Sequence, residues 1–157
     1  METDRAGGLR ARDMLRWTRM TALDSAKEFL GSQLFCVVST IGDDGSPQSA
    51  FVAFSESDNL EVAFGTFVDS RKFRNVERDP RVSIVVSAGD KTLQIEGMAR
   101  VAIGDEEARV RAQHVAKNPS AKKYAYDSRE SFVIVTPRWL RYTDFTTDPD
   151  TVEELRF

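Results

Sequence analysis

The sequence predicts a mainly β protein: a small antiparallel barrel of six or seven strands with flanking helices. Three observations carry that expectation. Short apolar, β-branched runs recur along most of the 157 residues. Glycine and aspartate turns separate many of them. In a chain this short, closing the sheet on itself is also the economical way to remove exposed strand edges.

The elements follow in order. Residues Ala22 to Gln33 space Leu23, Ala26, Lys27 and Leu30 by three and four, with Gly31 near the end, which predicts an amphipathic helix. Leu34 to Ile41 is the first strand. Gly42-Asp43-Asp44-Gly45 turns it back into a second, Pro47 to Ser55, because these residue types tolerate positive φ. Asp58-Asn59 leads into Leu60 to Thr66, and a polar turn then opens a short helix before the strand Arg81 to Val86. Ala88-Gly89-Asp90 reverses the chain into a long strand, Thr92 to Ile103. With tight turns between most neighbours, a meander is expected. Asp105 to Lys117 predicts a helix ended by Asn118-Pro119, and Lys122 to Tyr126 a further helical turn. Ser131 to Thr136 and Trp139 to Phe145 read as two strands divided by Pro137. Residues 1–20, with five arginines and the Gly7-Gly8 pair, are expected to be a flexible arm, residues 21–145 one domain, and residues 146–157 an acidic tail with an apolar end.

Composition narrows the function. A formal net charge of -3 lacks the broad basic field of a nucleic-acid binder. The single cysteine, Cys36, excludes an internal disulfide and fits a reducing cytoplasm. No apolar run of about 18 residues offers a membrane span. A barrel of this size fills its interior with side chains, so a ligand is expected outside it, in a groove or between subunits.

The segment Phe64 to Val86 is the most informative. Its turn brings two hydroxyls, Thr66 and Ser70, and two adjacent cations, Arg71 and Lys72, to the start of a helix. Unpaired backbone N–H groups and the helix dipole favour an anion there, and a phosphate monoester fits that need. The same residues also suit a surface helix capped by Asp69 or Ser70, with Phe73 and Val76 facing the core and its cations in water. On the long strand, alternation sets Thr92, Gln94 and Glu96 on one face, either simply solvated or facing a ligand.

Four stretches resemble the pyridoxamine 5'-phosphate oxidase-like, FMN-binding split-barrel superfamily, and within it the general stress protein branch. They are Val38-Ser39-Thr40 to Gly45-Ser46-Pro47, Gly65 to Val86, Gln94-Ile95-Glu96-Gly97, and Thr136 to Phe145. The resemblance spans about Thr21 to Phe145. It implies an antiparallel split barrel, a homodimer with two flavins at the interface, and FMN as cofactor. It matches Thr66, Ser70, Arg71 and Lys72 to the flavin phosphate, and Ala50-Phe51-Val52 to the strand whose backbone runs along the isoalloxazine ring. If that face of the long strand meets the flavin, Gln94 would hydrogen-bond the pyrimidine edge of the ring, whose donors and acceptors suit an amide, and Thr143 matches a position where relatives often place an aromatic side chain near the other subunit's flavin. In the oxidase proper the ring-side strand begins with arginine and ends with lysine. This chain has Ala50 and Ser55 there and lacks the oxidase's Arg-Leu-His substrate segment, so vitamin B6 oxidation is not expected.

The resulting expectation is a cytoplasmic flavin-dependent oxidoreductase moving hydride to or from an unknown small molecule, with no catalytic side chain and no metal. Two alternatives stand beside it. One is a reductase using a deazaflavin coenzyme, whose longer anionic tail would draw on Arg74 and Arg78. The other is a flavin-binding stress module without turnover. Haem fits poorly by sequence, since His114 is the only histidine and sits mid-helix, where a structural role is the simpler reading. Cys36 reads as a small buried hydrophobe.

Overall fold

β2 and β3 are separated by one residue, Phe54, yet they lie at opposite edges of the same sheet. The computed structural model describes residues 23–157, so the expected N-terminal arm lies outside the described residues. In chain order the elements are helix α1 (residues 23–32), strands β1 (Phe35–Ile41), β2 (Pro47–Ala53), β3 (Ser55–Glu56) and β4 (Val62–Phe67), helix α2 (Arg71–Arg78), and strands β5 (Arg81–Ala88) and β6 (Lys91–Val101). Helix α3 (Gly104–Lys117), a 3-10 turn (Pro119–Ala121), helix α4 (Lys122–Ala125) and strands β7 (Glu130–Asp144) and β8 (Thr151–Arg156) complete the chain.

The strand order is β2-β1-β5-β6-β7-β4-β3, with β8 also on β7, and every pairing is antiparallel. Six inter-strand spacings would hold the two edges of a flat sheet about 29 Å apart. The single step from Ala53 to Ser55 reaches at most about 7 Å, so the sheet must curl until the end of β2 comes beside the start of β3. Phe54, fully buried, marks the seam, and its N–H donates to Leu34 O at 3.1 Å. The chain is therefore mainly β, a curled antiparallel sheet flanked by helices.

Side chains fill the interior. Phe64, Ile84, Leu93, Ile95 and Leu140 are fully buried there, with Ala26, Phe29 and Leu30 of α1 and Phe73 and Val76 of α2 in the same cluster. A second apolar layer lies between α3 and the outer face of β4 and β7, built from Ala63, Val110, Phe132 and Ile134. Phe132 to Val135 are consequently buried at consecutive positions, as a strand covered on both faces requires.

Four details depart from the sequence expectation. Pro137 does not divide two strands: β7 runs through it, because the β6–β7 register slips between Glu96 and Gly97 and leaves Arg138 as an extra residue. A bulge tolerates a residue with no N–H to give. Gly97 is needed opposite, since a Cβ there would strike Thr136 O. The topology is also not a meander: α2 carries the chain from β4 across to β5, so that β4 pairs β7 and β5 pairs β1. Strand Pro47 to Ser55 breaks at Phe54, and residues from the expected tail form β8. Among the described residues, no helix is long and apolar enough to cross a membrane.

Candidate functional site

Strand β4 ends at a polar turn whose side chains are held in place by one another. Ser70 caps α2 from an extended backbone (φ −72°, ψ 153°), and its Oγ accepts the Phe73 N–H at 3.2 Å. Thr66 Oγ1 and Ser70 Oγ share a hydrogen bond of 2.8 Å. Whichever of them donates, one hydroxyl hydrogen of the pair is left for another acceptor. The first turn of α2 holds no acidic residue, and Arg71 and Lys72 occupy its opening positions. A cation at a helix N-terminus opposes the dipole by about 0.3–1 kcal/mol, and an anion at the same place reverses the sign.

Helix α2 is anchored on the far side. Asn75 Nδ2, buried, donates to Thr40 Oγ1 and to Gln48 Oε1, each at 3.0 Å. Arg78 donates to Ile41 O at 2.8 Å and to Asn75 Oδ1 at 3.1 Å, and Arg74 donates to Asp69 O at 2.9 Å. The Asn75 and Arg78 contacts pin the helix to the β1–β2 hairpin and fix the direction of its N-terminus.

The N-terminus of α2 opens on a cleft of about 410 Å³, within the ~300–1,000 Å³ usual for small-molecule sites. Phe51, Val52 and Ala53 of β2 form one side, Gly65, Thr66, Ser70 and Lys72 the polar end, and His114, Tyr124 and Glu130 are among the residues of the remaining wall. Hydroxyl and ammonium groups and an aromatic, apolar wall thus face one space.

The sequence profile of pyridoxamine 5'-phosphate oxidase matches residues 22–144. The chain belongs to that family. Among solved structures it is similar to a haem-binding protein from Mycobacterium smegmatis, 22% identical with a TM-score of 0.75 over 86% of this chain and 57% of that one. It is also similar to general stress protein 26 from Bacillus anthracis, 23% identical with a TM-score of 0.70 over 86% and 98% of the two chains. A third similar structure is HutZ, the haem storage protein of Vibrio cholerae, at 19% identity and a TM-score of 0.64 over 73% and 88%. Likeness at these identities shows the fold alone, and this chain spans little more than half of the mycobacterial protein. No curated protein matches it.

Of the positions that the pyridoxamine 5'-phosphate oxidase resemblance pointed to, Phe51, Val52, Thr66, Ser70 and Lys72 line the cleft together. Arg71 is exposed and does not line it. Arg74 and Arg78 do not reach it either, because the backbone carbonyls of Asp69 and Ile41 hold them. Ala50 lies one residue before the wall, with its side chain toward the opposite face of β2 from Phe51. Ser55 is buried in β3.

Gln94 and Thr143 lie elsewhere in the chain. Register partners place Phe51, Val37, Val85, Gln94, Arg141 and Glu154 in one row across the outer face of the sheet, so Gln94 shares a face with Phe51 three strands away. The β2–β1–β5 end of that face is apolar and open to solvent: Phe51 is 70% exposed and stacks on Phe35 at 5.1 Å. Toward the other end, Arg141 Nε donates to Glu154 Oε1 at 2.8 Å, and its guanidinium lies over the Trp139 ring at 5.4 Å. Thr143 is buried opposite Thr92 and Val152.

Two further titratable residues reach the cleft: Glu130, which the sequence did not single out, and His114, for which a structural role was expected. His114 is buried, edge-on to Phe132 at 5.4 Å, and its Nδ1 has no hydrogen-bond partner among the described residues. Burial, with Lys117 nearby, pushes the imidazole down to about 4, so it is neutral. Its position one turn after Val110, on the covered side of α3, was the available signal. Glu130 opens β7 opposite Phe67, and a Cβ on Gly65 would collide with its Oε1. Burial pushes the Glu130 carboxyl up to about 7, while Lys72 pulls it back. Cys36 is the buried residue expected, its thiol pushed up to about 12 by burial, which makes it a poor nucleophile.

Proposed function

We propose that this chain is an FMN-binding flavoprotein that works as a cytoplasmic homodimer and moves hydride to or from a small molecule. The carrying observation is the Thr66–Ser70 hydroxyl pair and Lys72, gathered at a helix N-terminus that opens on an apolar-walled cleft. Lys72 and the spare hydroxyl hydrogen would hold the phosphate, with Arg71 adding charge from the surface. Phe51 and Val52, with the backbone from Ala50, would form the wall beside the ring. Bound FMN supplies hydride chemistry, and the protein's part is to bind, orient and exclude water.

A second copy completes this reading. Phe35, Val37, Phe51 and Val85 form an apolar area on the open sheet face, the kind of surface that marks an interaction site. Pairing that face with another copy covers it and brings a second Gln94 toward the wall that Phe51 begins. Thr143, on a neighbouring row, would then reach the cofactor only through the interface.

FMN is favoured over a deazaflavin coenzyme because Arg74 and Arg78, the cations a longer anionic tail would need, are committed to backbone carbonyls. A stress module without turnover shares the same site and differs only in lacking an electron donor. Haem is a second cofactor reading. The neutral, unpartnered imidazole of His114 in the cleft favours it, as do the names of two similar structures.

Absorbance spectra of the purified protein after separate incubation with FMN, deazaflavin coenzyme and haem decide among these. Retention of one FMN per chain after gel filtration is expected. Retention of haem with a sharp Soret band, and none of FMN, would overturn the proposal. Reduction of the retained flavin by NADH or NADPH separates an oxidoreductase from a silent module.

A further inference from the structure

Glu130 is out of place in a phosphate pocket. It lines the same cleft as Thr66, Ser70 and Lys72, half-buried, and its carboxyl makes no hydrogen bond or ion pair within the described residues. Its Oε1 lies over Gly65, the residue before Thr66, in space that only a glycine leaves free. The polar end of the cleft therefore holds one cation and one carboxyl, and an ionised Glu130 would face an incoming dianion at close range.

Resting on the phosphate reading of the same cleft, we infer that Glu130 is its proton switch: a phosphate dianion seats on Thr66, Ser70 and Lys72 only while the Glu130 carboxyl holds a proton. Binding then takes one proton from solvent onto Glu130, and the protonated acid donates a hydrogen bond where the carboxylate would repel. The charged and titratable groups around it are Lys72 from α2, Arg111 and His114 from α3, Tyr124 from α4, and Asp127 from the turn before β7. Burial keeps His114 neutral above about 4, and the Arg129 hydrogen bonds hold Asp127 down at about 2, so neither changes charge between pH 6.5 and 8.5. Glu130, pushed up to about 7, titrates within that range. Free FMN is already largely dianionic there, since a phosphate monoester has its second pKa near 6.

The test is fluorescence titration of FMN, with riboflavin as control, at pH 6.5, 7.5 and 8.5 for the wild type and Glu130→Gln. The wild-type Kd for FMN is expected to rise at least tenfold from pH 6.5 to 8.5. In Glu130→Gln it stays flat, and at pH 8.5 the variant binds FMN more tightly than the wild type does. Riboflavin, with no phosphate, shows no such slope. Parallel pH profiles in both proteins would overturn the switch while leaving the phosphate reading intact, whereas no FMN binding at any pH would remove both. Calorimetry of the wild type in buffers of different ionisation enthalpy is independent of the variant's folding. Uptake approaching one proton per FMN at pH 8.5 supports the switch, and no uptake refutes it.

Discussion

Lys72→Ala is expected to weaken FMN binding by roughly 10- to 150-fold, whereas Arg71→Ala, one residue away, changes it less than about threefold. The first range follows from the ~1.5–3 kcal/mol that a hydrogen bond to a charged group contributes, with 1.4 kcal/mol per factor of ten. The contrast between neighbours follows from where α2 points them: Lys72 lines the cleft with Thr66 and Ser70, and Arg71 is exposed outside it. An exposed charge at that distance is screened and adds little. Lys72 is also a cleaner probe than Ser70, whose removal would take away the cap of α2 together with any ligand contact. Equilibrium fluorescence titration checks both variants. Equal losses in the two would mean that surface charge, and not the cleft, draws the phosphate.

Val37→Glu is expected to convert a dimer into a monomer at micromolar concentration, weakening association by more than about 100-fold, because an unpaired carboxylate buried at an interface costs several kcal/mol. Val37 is the register partner of both Phe51 and Val85, at the middle of the open apolar area. It is 38% exposed in the single chain, so the substitution should leave the barrel itself folded. Sedimentation velocity reads the change in mass, and circular dichroism confirms the fold. FMN affinity should fall as dimerisation is lost, since a monomer lacks the second Gln94. A variant that stays dimeric would place the interface elsewhere.

Local chemistry made much of this structure legible. The Gly42 to Gly45 turn, the reversal at Gly89 and the Asn118-Pro119 helix stop are set by neighbours in sequence, and each falls where expected. The Thr66, Ser70 and Lys72 group is legible for the same reason, being one turn of chain. What failed to show was set by distant partners. Pro137 looked like a break because its tolerance depends on the bulge opposite Gly97, forty residues earlier. Residues Thr151–Arg156 form a strand only because β7 offers them a free edge beyond β4. Glu130 enters the cleft because β7 pairs with β4, and His114 because α3 lies on those strands. Arg71 and Lys72 are indistinguishable as a dipeptide, and only the orientation that Asn75 and Arg78 impose on α2 separates them.

The central claim is that the cleft grips a phosphate, and the ratio of dissociation constants for riboflavin and FMN tests it most directly. The two ligands share a ring and a ribityl chain and differ only in the phosphate. At pH 6.5 the wild type should prefer FMN by at least tenfold, and Lys72→Ala should lose most of that preference by weakening FMN alone. Equal affinities for the two ligands in the wild type would contradict the claim.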